Sequence, residues 1–222
     1  MLRSSWQSLV RQQRAIAVIR ASHFDLGMYM ARAIAAADLR LIEITWNSDR
    51  AGELIQRLRS ELPDCVIGTG TLLTLDQLKD AIAAGAEFLF TPHVNSALIE
   101  MAVAQQVPVI PGAFSPTEIV TAWQAGAACV KVFPVQALGG VEYIRSLQGP
   151  LGDIPLIPTG GVTVQNARSF LDAGAIAVGL SGQLFPQEAI ATQNWELITQ
   201  QAKILRHNLT SCVSDRPESP EC

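Results

Sequence analysis

Short apolar runs rich in β-branched residues alternate along the chain with longer stretches in which apolar residues recur every three or four positions. The short runs predict buried parallel strands, and the longer stretches predict amphipathic helices. The eight strand candidates are residues 15–19, 39–44, 65–68, 87–90, 107–110, 127–132, 155–158 and 175–179. The helical stretches lie near residues 24–37, 50–61, 74–84, 95–105, 116–125, 139–147, 163–173 and 187–207. This strict alternation favours an α/β fold of the (β/α)8 TIM-barrel type over a doubly wound open sheet, which usually has fewer strands.

The length of 222 residues suits one such barrel, and no change of composition marks a second domain. We therefore predict a single domain over residues 1–210. Residues 211–222, SCVSDRPESPEC, are polar and contain two prolines, so we predict a disordered C-terminal tail there.

The charge balance argues against several classes of partner. A net charge of −4 provides no basic field for nucleic acid or for an anionic membrane surface. No stretch has the roughly 18 uninterrupted apolar residues of a membrane span, and the N-terminus lacks the apolar segment of a secretory signal. We expect a cytoplasmic protein whose Cys65 and Cys129, within apolar runs, are buried thiols. His23 and His93 fall in loops without other ligands at metal-binding spacing, so no metal or other cofactor is predicted.

Among the three lysines, Lys131 has unusual surroundings. Lys79 and Lys203 fall on polar helical stretches, whereas Lys131 lies within the apolar strand candidate AACVKVFPV. Burial favours the neutral amine, which attacks a carbonyl to form an imine that withdraws electrons from the neighbouring carbon. Such chemistry breaks carbon–carbon bonds β to a carbonyl. The alternative is a structural ion pair, for example with Glu43.

Glu43 interrupts a second apolar strand candidate, LRLIEITW. A carboxyl group is rarely buried without a partner or a function. Burial raises its pKa toward values useful for proton transfer, and a nearby ammonium lowers it. We predict Lys131 and Glu43 as the catalytic pair, with a purely structural role for the acid as the alternative.

Two glycine-rich segments follow the seventh and eighth strand candidates, where barrels commonly bind phosphate. Gly160 and Gly161 allow close approach of the backbone to an anion, and Ser181 offers a hydroxyl. The alternative is a pair of ordinary turns. After the third and first strand candidates, Thr71 and Arg20 are placed to bind a substrate carboxylate, although a surface role for Arg20 is nearly as plausible.

Taken in chain order, a set of motifs resembles the KDPG/KHG aldolase family, that is, the 2-keto-3-deoxy-6-phosphogluconate and 4-hydroxy-2-oxoglutarate aldolases. The motifs, spread over about residues 10–190, are AVIRA, IEITWNS, IGTGTLL, FTPH, VIPGAFSPTE, VKVFP, PTGGV and VGLSGQLF. The resemblance implies a homotrimeric class I aldolase of carbohydrate metabolism, as in the Entner–Doudoroff pathway. It would need no metal and would cleave a keto acid to pyruvate plus glyceraldehyde 3-phosphate or glyoxylate.

The same resemblance implies roles for individual residues. The Schiff-base lysine of the family falls on Lys131 and its catalytic glutamate on Glu43. Substrate-binding and phosphate-binding positions of the family fall on the following residues: Thr71, Pro92, Phe133, Thr159, Gly160, Gly161 and Ser181.

The segment Trp46-Asn47-Ser48 departs from the family pattern, because gluconate-type members usually have arginine where this chain has Asn47. Sequences of the 2-keto-3-deoxy-6-phosphogalactonate branch also have Asn-Ser here, whereas Thr159 before Gly160-Gly161 resembles the gluconate type. The stereochemistry of the substrate therefore stays open. Two other hypotheses are a phosphosugar isomerase or epimerase, and a non-catalytic barrel that binds a phosphorylated metabolite.

Overall fold

Eight parallel strands form a barrel in residues 3–210, the part of the chain described by this computed structural model. The strands are β1 (Ala15–Ile19), β2 (Leu41–Thr45), β3 (Val66–Gly70), β4 (Leu89–Thr91), β5 (Val109–Ala113), β6 (Val130–Val132), β7 (Leu156–Pro158) and β8 (Val178–Leu180). Their order around the sheet is β7-β6-β5-β4-β3-β2-β1-β8. A parallel bridge between Thr159 and Gly179 joins the two ends. The (β/α)8 barrel predicted from the sequence is confirmed, while the predicted tail lies outside the described residues.

Ten α-helices are present in the described part of the chain, besides a 3-10 helix at Val135–Leu138. They are α1 (Arg3–Gln13), α2 (Phe24–Ala35), α3 (Ala51–Glu61), α4 (Leu75–Ala83), α5 (Ser96–Ala104), α6 (Pro116–Gln124), α7 (Val141–Leu151), α8 (Ala167–Asp172), α9 (Gln187–Ala191) and α10 (Trp195–Thr210). The sequence patterns missed α1, whose face carries only two fully buried side chains, Trp6 and Val10. They also merged α9 and α10 into one helix. The break lies at Gln193, which adopts a left-handed φ of 53°, and Asn194 then accepts a hydrogen bond from the Leu197 N–H.

Several predicted strands start two or three residues before the hydrogen-bonded ladder begins. The run predicted over 127–132 is a strand only at Val130–Val132, and the run over 107–110 begins its ladder at Val109. Ala127, Ala128 and Cys129 are nevertheless buried. An apolar run therefore marks the whole buried segment of a βα unit, including the turn that enters the strand.

The apolar side chains form two separate cores. The larger one lies between the strands and the surrounding helices. The second, here called the inner core, fills the barrel and consists of Trp6, Val10, Ile16, Leu41, Phe88, Phe90, Ile110, Ala128, Cys129, Ile157, Ile176 and Ala177. Because Trp6 and Val10 belong to the inner core, α1 covers the end of the barrel at which the strands begin. The opposite end, where the strands finish, is left for a site.

Both cysteines of the described chain, Cys65 and Cys129, are buried free thiols, as predicted. Among residues 3–210, none of the helices combines the length and apolarity needed to cross a lipid bilayer.

Candidate active site

A cavity of about 450 Å³ opens at the C-terminal ends of the strands. It is lined by all ten site residues predicted from the sequence: Arg20, Glu43, Thr71, Pro92, Lys131, Phe133, Thr159, Gly160, Gly161 and Ser181. These residues come from loops and strands of seven different βα units. Their convergence is a property of the closed barrel, because the carboxyl ends of all its strands meet at one face.

Six further lining residues were not singled out from the sequence: Val18, Thr45, Val162, Gly179, Gly182 and Gln183. Two of them had a usable signal, because side chains two positions apart on a strand point the same way. Val18 precedes Arg20 by two residues, and Thr45 follows Glu43 by two. Asn47, by contrast, is exposed and does not line the cavity, and His93 does not line it either.

Lys131 lies in the wall of the cavity with only 7% of its surface exposed. Its neighbours in the ladder are Gly112 on β5 and Ile157 on β7. Since Ile157 is part of the inner core, Lys131 points into the barrel and not into the helix layer. Its Nζ lies 4.6 Å from the centroid of the Phe133 ring, so an aromatic face is available to a positive charge there.

Glu43 is 1% exposed and pairs in register with Val18 on one side and Gly68 on the other. Its carboxylate occupies space that only a glycine at position 70 provides. A Cβ atom on Gly70 would lie 1.8 Å from Oε1 of Glu43. Gly70, the second glycine of the segment IGTGTLL, therefore makes room for the acid.

The electrostatics of the pair follow from burial. Desolvation raises the pKa of the Glu43 carboxyl above its usual range, and the nearby charges of Lys131 and Arg20 offset this in part. Desolvation also lowers the pKa of Lys131, with Arg20 acting in the same direction and Glu43 opposing it. None of the ion pairs between described residues involves Lys131 or Glu43. The direct ion pair between them that was the structural alternative is therefore not formed in the described residues.

Arg20 stands at the mouth of the cavity on a loop that is held from the end of β2. Its neighbour Ala21 donates its N–H to Oγ of Ser48 at 3.1 Å, and this oxygen lies 3.2 Å from Oγ1 of Thr45. The carbonyl of Ala21 accepts a hydrogen bond from the Asp49 N–H at 3.0 Å. The segment from Thr45 to Asp49 thus fixes the loop that carries Arg20.

Thr71 and the two loop glycines have left-handed backbone conformations. Thr71 has φ of 62°, which is rare and strained for a β-branched residue, and such strain concentrates at functional sites. Gly160 and Gly161 have φ of 84° and 97°. The Gly160 carbonyl accepts the Gln136 N–H at 3.0 Å, so the turn after β6 supports this loop.

The arrangement combines a shielded amine, a shielded carboxyl group, one mouth guanidinium and a glycine-rich loop in one cavity. In residues 3–210, no three His, Cys, Asp or Glu side chains cluster so as to hold a metal ion. The fold and the cavity together define a barrel enzyme that handles a small anionic compound beside a reactive amine.

Comparisons with known proteins identify the family. The family described as KDPG and KHG aldolase matches residues 6–201, so the chain belongs to it and the protein is an aldehyde-lyase. A relative, 2-dehydro-3-deoxy-phosphogluconate aldolase of Haemophilus influenzae, is 32% identical over 189 residues, which cover 85% of this chain and 89% of that protein.

Solved structures agree. The KDPG aldolase from Legionella pneumophila, crystallised with pyruvate captured at low pH as a covalent carbinolamine intermediate, superimposes with a TM-score of 0.83 at 28% identity. The alignment covers 90% of this chain and 97% of that one. A structure described as native KDPGal has a TM-score of 0.80 and 32% identity over 87% of this chain and 93% of that one.

Proposed function

We propose that the protein is a class I aldolase that cleaves 2-keto-3-deoxy-6-phosphogluconate, 4-hydroxy-2-oxoglutarate or both through a Schiff base on Lys131. The observation that carries this proposal is the position of the Lys131 amine, which is 7% exposed and lines the same cavity as Glu43. The Legionella relative, in which pyruvate is held as a carbinolamine, supports the same chemistry.

In the proposed cycle the neutral amine attacks the C2 ketone of the substrate and forms a carbinolamine. Loss of water gives a protonated imine, which accepts the electron pair of the C3–C4 bond when that bond breaks. The C4 hydroxyl loses its proton in the same step, and the C4 fragment leaves as an aldehyde. The remaining enamine takes a proton at C3, and hydrolysis of the imine releases pyruvate and the free lysine.

Glu43 is proposed to move these protons. Burial raises the pKa of the Glu43 carboxyl, which makes it a better proton acceptor than an exposed carboxylate, and the protonated acid can return the proton, as C4 deprotonation and dehydration require. Phe133 presents its ring to the Lys131 nitrogen and is proposed to stabilise the positive charge of the imine.

The two anionic ends of the substrate are proposed to bind at separate parts of the cavity. Thr71, Pro92 and Thr159 line the same cavity as the Lys131 amine and would hold the pyruvate end of the substrate beside it. The phosphate, or the second carboxylate, would bind the backbone N–H groups at Gly160 and Gly161, together with Ser181. Among residues 3–210, Arg20 supplies the one guanidinium that lines the cavity.

A second candidate substrate is 2-keto-3-deoxy-6-phosphogalactonate, which differs in stereochemistry at C4. The Asn47-Ser48 pair, which sequences of the galactonate branch also have, favours it. Comparing kcat/KM for the two C4 epimers and for 4-hydroxy-2-oxoglutarate, with pyruvate release as the readout, ranks the three substrates.

Reductive trapping tests the Schiff base directly. Pyruvate and borohydride should convert the imine into a stable secondary amine on the peptide that carries Lys131, detected by mass spectrometry. The chain supplies its own controls, because Lys79 and Lys203 are the remaining lysines and both are solvent-exposed. Lys131→Ala should lose the adduct and all turnover while keeping the wild-type circular dichroism spectrum. An adduct on Lys79 or Lys203, or none, contradicts the proposal.

We also propose that the enzyme is a cytoplasmic homotrimer built from one domain per chain, residues 1–210. The two buried free thiols fit a reducing compartment. The single domain is supported by α1, which completes the inner core, and by α10, which packs against α2 and α8. The trimer follows the expectation for the family, and one of the two groups of exposed apolar side chains, discussed below, offers a contact surface for it.

A further inference from the structure

The helix α1 makes specific contacts with the end of the barrel at which the strands begin. Trp6 and Val10 have no exposed surface. Between them along the helix, Gln7 donates its side-chain N–H to the Ala128 carbonyl at 2.8 Å. This hydrogen bond attaches α1 to the segment that leads into β6, three residues before Lys131.

A continuous column of aromatic rings connects Trp6 to the amine. The centroids of Trp6 and Phe88 are 4.8 Å apart, and those of Phe88 and Phe90 are 5.8 Å apart. The Lys131 Nζ lies 5.6 Å from the centroid of Phe90. The column needs a glycine on the neighbouring strand, because a Cβ on Gly68 would come within 2.4 Å of the Phe88 ring.

The side chains directly beneath the lysine, on the side away from the cavity, are apolar. Cys129 precedes Lys131 by two residues on the same strand path and belongs to the inner core with Trp6. Burial raises the pKa of the Cys129 thiol to about 12. An amine above such a layer meets water only from the cavity side.

We propose that Trp6 is a positioning residue for the reaction: it closes the lower end of the barrel and, through the Phe88–Phe90 column, keeps water from reaching the Lys131 amine from below. The functional importance of this seal depends on the Schiff-base role proposed for Lys131, but the seal itself does not. It explains why a chain whose strands already form a closed barrel places a tryptophan from a preceding helix inside it.

Other charged groups also act on the amine and set the background for a test. Glu43 on β2 and Arg20 after β1 face Lys131 from the cavity. On the lower side, Arg3 and Arg11 of α1 act on Cys129. Substitution of Trp6 leaves all of these groups in place, so that a changed titration of Lys131 would report on hydration.

Competitive acetylation measures that titration without any substrate. The protein is treated with trace acetic anhydride between pH 6 and pH 11, and acetylation of each of the three lysines is quantified by mass spectrometry. Only the neutral amine reacts, so the midpoint for each lysine reports its own protonation. Trp6→Ala should raise the midpoint of Lys131 by about one pH unit, a roughly tenfold loss of free amine at neutral pH, because water stabilises the ammonium. Lys79 and Lys203 should not shift.

Matched variants separate hydration from loss of stability. Phe170→Ala removes an equally buried ring from the larger core, between the strands and the helices. It should therefore lower the melting temperature comparably without moving the Lys131 midpoint. Trp6→Phe should keep the wild-type midpoint. If Trp6→Ala does not fold, Val10→Ala opens the same end more gently and should give a smaller shift in the same direction.

The outcomes are distinct. An unchanged Lys131 midpoint in a folded Trp6→Ala or Val10→Ala protein overturns the seal, as does an equal shift in Phe170→Ala. A shifted midpoint together with no pyruvate adduct in the wild-type protein upholds the seal and overturns the proposed function instead.

Discussion

At the scale of single residues, the position of the Glu43 carboxylate depends on the absence of a side chain at Gly70. The Glu43 carboxylate fills the place where a Cβ of residue 70 would stand, 1.8 Å from its Oε1. Gly112, the ladder partner of Lys131, is equally restricted, since its Cβ would meet the Pro92 carbonyl at 2.6 Å. Gly70 therefore makes room for the acid, whereas Gly112 allows the backbone of Pro92 to approach the strand beside Lys131.

Gly70→Ala should disable the enzyme without touching a reacting group. The added methyl displaces the Glu43 carboxylate, so kcat should fall roughly 10²–10⁴-fold, as for Glu43→Gln, the usual extent of general acid–base catalysis. Steady-state kinetics, with circular dichroism as the check on folding, measure this. Gly52→Ala in α3 is the matched control, because its Cβ would find its nearest neighbour at 3.5 Å and helices favour alanine. Wild-type kcat in Gly70→Ala would show that the acid is not held where we place it.

The sequence was informative about residues wherever a polar side chain interrupts an apolar run. Lys131 and Glu43 stand out for this reason, and the loop residues stand out through their glycines. Gly179 and Val162 carry no such signal, since an apolar or small side chain facing a cavity looks the same in sequence as one facing a core. The sequence showed that Asn47 departs from the family pattern, but it did not show that this residue is exposed and does not line the cavity.

At the scale of elements, the start of α6 is held by a reciprocal set of hydrogen bonds. The Ser115 hydroxyl accepts the Glu118 N–H, and the Glu118 carboxylate accepts the N–H groups of Phe114 and Ser115, each at 2.7 Å. These donors, above all the Phe114 N–H, hold the pKa of Glu118 below its usual range. A carboxyl group whose pKa is lower in the folded than in the unfolded chain adds stability above its unfolded pKa, and this contribution disappears as the pH falls through the lower, folded value.

Glu118→Gln should therefore destabilise the protein at neutral pH, and the difference from wild type should shrink as the pH drops below about 4, the ordinary range of a glutamate. Urea unfolding at a series of pH values measures the difference in the free energy of unfolding. Glu100→Gln, exposed on α5, should show little difference at any pH. A Glu118→Gln effect that stays constant into acid would mean that the carboxylate charge is not what holds the turn.

The number of strands was predictable, but the number of helices and the ends of the elements were not. The eight strands and their helices follow from hydrophobic periodicity. The helix α1 escaped notice because two buried side chains in eleven residues make too weak a pattern. The division between α9 and α10 depends on the left-handed conformation of Gln193, and glutamine has no special preference for that conformation.

At the scale of the whole molecule, the exposed large apolar side chains of the described residues fall into two groups. Tyr29 on α2 and Leu197 and Ile204 on α10 form the smaller group, near β1 and β8. Leu73, Leu75, Val103 and Phe114 form the larger group and belong to the third, fourth and fifth βα units, which are consecutive around the barrel on the opposite side. Clusters of exposed apolar side chains mark contacts with other chains more often than isolated ones do. We take the side formed by these three units as the contact surface of the proposed trimer.

Sedimentation equilibrium should give three times the chain mass of 23.9 kDa. Phe114→Glu places a charge on that surface and should shift the protein toward monomer, because a buried unpaired carboxylate is costly. Ile204→Glu, at a comparably exposed position on the far side, should leave the assembly unchanged. A wild-type monomer would refute the trimer, and dissociation by Ile204→Glu alone would move the interface to the other side.

The least tightly joined edge of the barrel runs between β7 and β8, which meet through the Thr159–Gly179 bridge and the Ile176 N–H to Leu156 carbonyl hydrogen bond. Gly160 and Gly161 continue from one side of this seam and Ser181 from the other. An anion that binds all three therefore ties the seventh and eighth βα units together. In such an arrangement bound substrate would hold β7 and β8 together, and the enzyme without substrate would be the form in which these two strands separate most readily.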